Sequence, residues 1–314
     1  MFSRLFTVIF ILFFSAGIFA SSAAQPEKAD FFYRRGEQKM FAGDRDNALA
    51  DFNRAIDENP RYAEAYNARG YVYFQMQQND EAIADFSKAI ELNPQLEEAY
   101  VNRGRVYVDT GRPQLAFPDL NKAIELNPKD GYAYMHRGRQ YGYNNLLDNA
   151  FKDMEKAHKI IPDCSDLYAF RSDVYKRAGE FKNALKDAEK AMEMNPSNSW
   201  YLRMRGFVYV AMGEKDKALT DFNKAIEMNP NDVWGYGDRG WAYLDLGEYR
   251  KAVEDLTKAI EKIDNNQNLY RQRAFAYYYL GEFDNARKDV KKVQELGSNF
   301  DDAFLQKLQS APKK

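Results

Sequence analysis

From residue 29 to residue 300, small and apolar positions recur every 34 residues, with no insertion or deletion between copies. Within each copy two amphipathic stretches alternate with polar turns. In residues 63–96, apolar side chains keep helical spacing over 64–76 and again over 81–93, separated by Gln77, Gln78, Asn79 and Asp80. Pro94 then stops the second stretch, because proline has no N–H to donate and disfavours helix in the residue before it. The pattern predicts helical hairpins, one per copy. A period of this length means stacked units, each burying its apolar face on its sequence neighbours.

Numbering each copy 1 to 34 separates what every hairpin needs from what a few carry. Position 8 is small throughout: Gly36, Gly70, Gly104, Gly138, Ser172, Gly206, Gly240 and Ala274. Position 20 is alanine from Ala48 to Ala286, and position 27 is alanine from Ala55 to Ala259, then Val293. Large residues at positions 4, 11 and 24, such as Tyr66, Tyr73 and Phe86, fill the space that these small residues open. An aromatic at 4, glycine at 8, tyrosine at 11, alanine at 20, an aromatic at 24, alanine at 27 and proline at 32 together resemble the tetratricopeptide repeat.

The resemblance implies an all-α fold, a right-handed superhelical solenoid of eight tetratricopeptide helical hairpins plus a C-terminal cap helix. The copies are 29–62, 63–96, 97–130, 131–164, 165–198, 199–232, 233–266 and 267–300. Residues 301–314 are the cap helix and tail, and Phe300, Ala303, Phe304 and Leu308 fall on one helical face there. The end copies depart from the pattern, with Lys39 at position 11 of the first and Ser298 at position 32 of the last. The middle departs too. Pro118 falls within the second helix of the third copy, and Asn144-Asn145-Leu146 replaces a glycine turn in the fourth.

Residues 1–24 are different material: Arg4, then an apolar run from Leu5 to Ala20, then Ser21-Ser22-Ala23-Ala24. This reads as a secretory signal peptide cut after Ala24, with 25–28 as a linker, since the run is shorter than the roughly 20 residues that span a bilayer. The expected location is exported, in the periplasm or cell envelope. Retention of the segment as a membrane anchor, or full secretion, are the alternatives. A net charge of −2 gives no electrostatic case for nucleic acid or an anionic membrane surface. Cys164 is the one cysteine, so internal disulfides are excluded and stability must come from packing.

Two charged series run the length of the array. Position 7 is always arginine (Arg35 to Arg273) and position 23 always aspartate (Asp51 to Asp289). Positions 3, 7, 10 and 14 share the arc that faces the adjacent repeat, which predicts structural arginine–aspartate pairs rather than an anion-binding ladder. Position 26 is always basic and reads as an outer solvated stripe.

The remaining arc of the first helix holds positions 2, 5, 6, 9, 12 and 13, which the resemblance places on the inner concave groove. In the first three copies it is polar, with Asp30, Arg34, Glu37, Glu64, Asn67, Glu98, Asn102, Arg105 and Asp109. From the sixth copy it carries Trp200, Arg203, Phe207, Trp234, Asp238, Trp241, Asp245, Arg271, Phe275, Tyr278 and Tyr279, including all three tryptophans of the chain. Tryptophan, tyrosine and arginine dominate binding hot spots, so these residues are the candidate partner-binding groove. Flanked by Arg203 and Arg271, the groove would suit an extended peptide or an amphipathic helix bearing acidic residues.

The lysine, asparagine and arginine with which some family members hold a chaperone's C-terminal carboxylate are not matched, since position 5 carries no lysine in any copy. His136 and His158 share one copy but lie on different faces, and no phosphate-cradling loop or nucleophile with a base is present. No enzyme activity, cofactor, metal or small-molecule ligand is expected. The leading reading is an exported scaffold that binds another protein, in envelope assembly or secretion. The alternatives are an envelope glycan binder using the groove tryptophans, or a membrane-anchored assembly factor with its signal retained.

Overall fold

A computed structural model describes residues 26–312, and all regular structure among them is helical. The segment read as a signal peptide lies outside the described residues. The chain divides into two compact units, one ending at Val106 and the other beginning at Tyr107. The first holds α1 (Pro26–Phe41), α2 (Arg45–Glu58), α3 (Ala63–Gln75) and α4 (Asn79–Leu92), while α5 (Glu97–Asp109) runs across the division. The second holds α6 (Pro113–Leu126), α7 (Gly131–Tyr143), α8 (Leu147–Ile160), α9 (Ser165–Arg177), α10 (Phe181–Met194), α11 (Ser199–Ala211) and α12 (Lys215–Met228). It continues with α13 (Val233–Asp245), α14 (Tyr249–Ile260), α15 (Gln267–Tyr279), α16 (Phe283–Glu295) and α17 (Asp302–Ser310). The order is that of eight hairpins, each an A helix then a B helix, followed by a cap helix. In the second unit α8, α10, α12, α14 and α16 each pack on their own A helix, the B helices from α6 to α14 pack on the A helix that follows, and successive A helices α7, α9, α11, α13 and α15 touch.

One boundary differs from the expected one. Helix α1 starts at Pro26, so most of the linker expected at 25–28 is helical. Proline suits a first helical turn because its missing N–H would have no partner there, and Glu27 complements the helix dipole.

The hairpin ends follow from local chemistry. Helix A usually closes on a glycine with positive φ, such as Gly213 at +76°, after which the Glu214 N–H donates to the Tyr209 carbonyl at 2.9 Å. Gln77 and Asn145 take the same left-handed conformation without being glycine, at +62° and +58°. Helix B usually ends on an asparagine held extended by the following proline, as at Asn93 (φ −137°), whose side-chain oxygen accepts the Gln95 N–H at 3.1 Å. Helix α6 runs through Pro118; this leaves the Gln114 carbonyl without a backbone donor, but the stretch is exposed and water can serve it.

Position 8 is small because the position-24 side chain lies against it. A Cβ at Gly206 would sit 2.7 Å from the Phe222 ring, and one at Gly240 2.8 Å from Leu256. Where position 8 is larger, position 24 shrinks. Ser172 shares its hairpin with Ala188 at position 24, and Ala274 with Val290. The Ser172 hydroxyl donates to the Ala184 carbonyl at 2.8 Å, so its buried oxygen is satisfied.

The arginine series forms the structural pairs expected of it. Arg69, Arg137, Arg171, Arg205, Arg239 and Arg273 each bind, through two nitrogens, the aspartate 16 residues on; for Arg137 the distances to Asp153 are 2.7 and 2.9 Å. Arg35 does the same with Asp51, and Arg103 and Asp119 belong to different units. The third nitrogen often reaches back to the B helix of the preceding repeat: Arg69 to Asn53, Arg103 to Ser87, Arg137 to Asn121, Arg239 to Asn223 and Arg273 to Thr257, at 2.6–3.0 Å. Tyrosines at positions 4 and 11 flank the guanidinium, as Tyr134 and Tyr141 flank Arg137 at 5.6 and 5.9 Å. The position-26 lysines cover the same rings from outside, Lys156 over Tyr134 at 4.9 Å and Lys258 over Tyr236 at 5.3 Å.

Replacing Arg137 with methionine would keep the packed stem but strand Asp153, which is 4% exposed. Because Arg137 is itself partly accessible, the expected loss is roughly 2 kcal/mol, below the range for a fully buried pair. Urea unfolding of Arg137→Met measures it, with binding by the A-helix face unchanged.

Candidate functional site

The A-helix face of the second unit is floored by ion pairs and walled by aromatic rings. Sequence register brings positions 2, 5, 6, 9, 12 and 13 to this face, and the structure sorts them by what they already hold. Arg203 on α11 donates to Asp238 on α13 at 2.5 Å and to Asp232, the N-cap residue of α13, at 3.1 Å. Arg271 on α15 donates to the Ser298 hydroxyl and the Asn299 carbonyl, both at 2.9 Å, and lies over the Phe300 ring. Arg203 is therefore neutralised within the chain, whereas Arg271 is held by neutral acceptors and a ring and its Nε is buried without a hydrogen-bond partner.

The aromatic residues divide in the same way. Trp200 packs edge-on against Phe170 at 5.5 Å and beside Tyr201, joining the core of repeats 4 to 6. Phe275 and Tyr278 lie against Phe304 of the cap helix α17, at 4.5 and 5.3 Å. Phe207 and Trp241 meet at 5.8 Å between α11 and α13. Trp234 remains 38% exposed and Tyr279 57% exposed, the latter stacked on Tyr249 at 4.8 Å. Asp245 is exposed, with Lys215 at 3.6 Å. The open part of the expected groove is thus the α13 stripe and Tyr279.

Repeats 4 and 5 contribute residues that the sequence reading passed over. Asp173 on α9 binds both Lys176 (2.6 Å) and Arg177 (2.7 Å). Arg139 on α7 pairs with Asp109 and lies 4.3 Å over Phe170; Arg177 lies 4.9 Å over Tyr143, and Lys176 5.5 Å over Phe207. These residues occupy positions 9, 12 and 13, the positions already used for repeats 6 to 8, so the same register would have found them.

Asp173, which is buried, and Asp238, which is partly buried, have opposite electrostatics. Burial opposes ionisation of Asp173, but Lys176 and Arg177 outweigh it and hold the carboxyl below the ordinary carboxylate value. At Asp238 burial wins. Arg203 favours the charged form, Asp232 opposes it, and the pKa is pushed up to about 6. One cation shared between two carboxylates leaves the site short of positive charge.

His136 is buried beside Phe170, and His158 meets Tyr168 edge-on, so the two histidines contact different faces of α9. Cys164 is partly buried against the core of repeats 4 and 5. Among the described residues there is no cluster of histidine, cysteine and carboxylate side chains able to hold a metal, and no helix long and apolar enough to cross a membrane.

Tetratricopeptide-repeat profiles match residues 42–77, 70–111, 97–130, 165–198, 200–232 and 222–254, together more than half of the chain. No curated protein matches it. Among solved structures, a tetratricopeptide repeat protein from Parabacteroides merdae is similar at TM-score 0.62 and 18% identity, over 80% of this chain and 99% of the other. A chain of the APC/C hetero-tetramer Cut9–Hcn1 is similar at TM-score 0.67 and 15% identity, over 93% of this chain and 58% of the other. At these identities the likeness is one of fold.

The pKa of Asp238 gives a pH prediction. The folded-state pKa of about 6 lies above the ordinary value of about 3.9, so between these limits the native state holds a proton that the unfolded state has released. This carboxyl therefore lowers stability as pH rises from about 4 to 6. Relative to the parent protein, Asp238→Asn should gain stability across that window in urea unfolding, and the carbon resonance of the Asp238 carboxyl should titrate near pH 6. The chain is an all-α repeat protein, and it belongs to the tetratricopeptide-repeat family.

Proposed function

We propose that this protein is an exported scaffold that binds another protein in the groove formed by the A helices of repeats 6 to 8. The observation that carries the reading is the exposure of Trp234 and Tyr279 on a face where Arg203 and Arg271 are already held by groups of the chain. An exposed aromatic on a preorganised floor offers contact area at little ordering cost. The fold is a scaffold suited to protein–protein interaction, and a neighbour in fold is part of a hetero-tetramer. The catalytic reading has no support from the side chains on this face, which are engaged in ion pairs and ring contacts.

The test uses variants chosen for exposure. Trp200 is a poor probe because it supports the core; Trp234→Ala with Tyr279→Ala removes accessible rings only. A partner captured from an envelope fraction by the parent protein and lost by this double variant is the expected outcome, with circular dichroism unchanged. Identical partner lists would mean that another face binds. Saturable tryptophan quenching by envelope oligosaccharides, without protein capture, would favour glycan binding.

Export is proposed from Arg4, the apolar run that follows it and the small residues ending at Ala24. Fused to a reporter active only outside the cytoplasm, residues 1–28 should confer activity, and the released product should begin at Gln25. An inactive reporter would overturn export, and a product that keeps its leader would indicate an anchor.

A further inference from the structure

The open part of the A face has a pattern of its own. Trp234, Asp238, Trp241 and Asp245 recur at i, i+4, i+7 and i+11 on α13, a single stripe in which rings and carboxylates alternate. At about 1.5 Å of rise per residue, the two tryptophans lie ~10 Å apart along the axis, and so do the two aspartates. Asp232 adds a third carboxylate at the head of the stripe. Against these three stand Arg203, shared by Asp232 and Asp238, and Lys215 at the rim near Asp245.

Elsewhere on this face the chain seats its own cations in a recurring way, each over a ring and paired with a carboxylate. Lys176 lies over Phe207 and binds Asp173; Arg177 lies over Tyr143 and binds Asp173; Arg139 lies over Phe170 and pairs with Asp109. On α13 the rings and carboxylates are present, but among the described residues no cation of the chain lies over Trp234 or Trp241. Tryptophan is the ring that attracts a cation most strongly, and nearby carboxylates add to that attraction.

We infer that the α13 stripe docks an amphipathic helix of another protein that presents two basic side chains seven residues apart, each over a tryptophan and beside an aspartate. Seven residues of helix rise ~10 Å, the repeat of the stripe. The partner's apolar side chains between them meet Phe207 and the exposed ring of Tyr279. This deepens the groove reading and rests on it, while reversing the polarity of partner that Arg203 and Arg271 suggest as bare sequence.

Three synthetic helical peptides, identical except for lysine, glutamine or glutamate at two positions seven apart, would be titrated into the full chain by calorimetry and tryptophan fluorescence. The lysine peptide should bind at least about tenfold more tightly than the glutamate peptide, with glutamine between. Asp245→Asn, at an exposed site that leaves the fold intact, should narrow that preference without weakening the glutamine peptide. Asp238→Asn should do likewise if circular dichroism shows it folded. Equal affinities, or a preference for glutamate that still depends on Trp234 and Trp241, would overturn the basic partner and leave the groove standing. Failure of all three peptides to bind would overturn both.

Discussion

Every B helix whose pair lies within one unit buries an aspartate beside its own A helix, and the array depends on how that charge is neutralised. A carboxylate out of water is tolerated only with a close cation and satisfied lone pairs, and the position-7 arginine supplies both through two nitrogens. The guanidinium has a third nitrogen to place, and the preceding repeat receives it. The interaction that closes one hairpin therefore also fixes its register on the last. Tyrosines at positions 4 and 11 lie on either side and limit water access, which strengthens the pair.

The same logic explains the ends. Arg35, on the first described helix, is 36% exposed, twice the value for Arg239. Lys39, which replaces the usual tyrosine there, adds a second cation at 2.7 Å from Asp51, and that carboxyl is held at about 2. At the other end α17 follows the eighth hairpin and covers its core. Phe300, Phe304 and Leu308 bury against the last repeat, and Arg287 closes α17 by donating to the Leu308 and Ala311 carbonyls. A cationic side chain at a helix C-terminus satisfies orphan acceptors and complements the dipole.

Positions set by contacts within one repeat were legible in the sequence. Spacing alone predicts that position 8 must be small, that helix B must end before proline, and that arginine 7 meets aspartate 23. What could not be read was which of the variable groove residues find one another. Arg203 looks available in sequence because its partners lie 29 and 35 residues away, in the next copy and at the N-cap before it. Phe275 and Tyr278 look like groove residues because register puts them there, yet the cap helix that covers them lies outside the repeat. Trp200 is spent on the core for a related reason, since Phe170 at position 6 of the preceding repeat is large enough to reach it. Register fixes direction, and side-chain reach between copies decides occupancy.

That distinction changes what the aromatic face can recognise. Counted along the sequence, Arg203 and Arg271 make it look receptive to acids. Counted in space, Arg203 is outnumbered by Asp232 and Asp238, and Arg271 is turned onto Ser298, Asn299 and Phe300 just before the cap helix. The contrast between Asp173 and Asp238 makes the same point. Asp173 has two cations to itself and ionises readily, whereas Asp238 shares one cation and is pushed toward its proton. A carboxylate in that condition gains from a further positive charge brought by a ligand, and the neighbouring tryptophan faces favour the same sign. The electrostatic character of this surface is therefore a property of pairing across repeats, and it favours a basic partner over an acidic one.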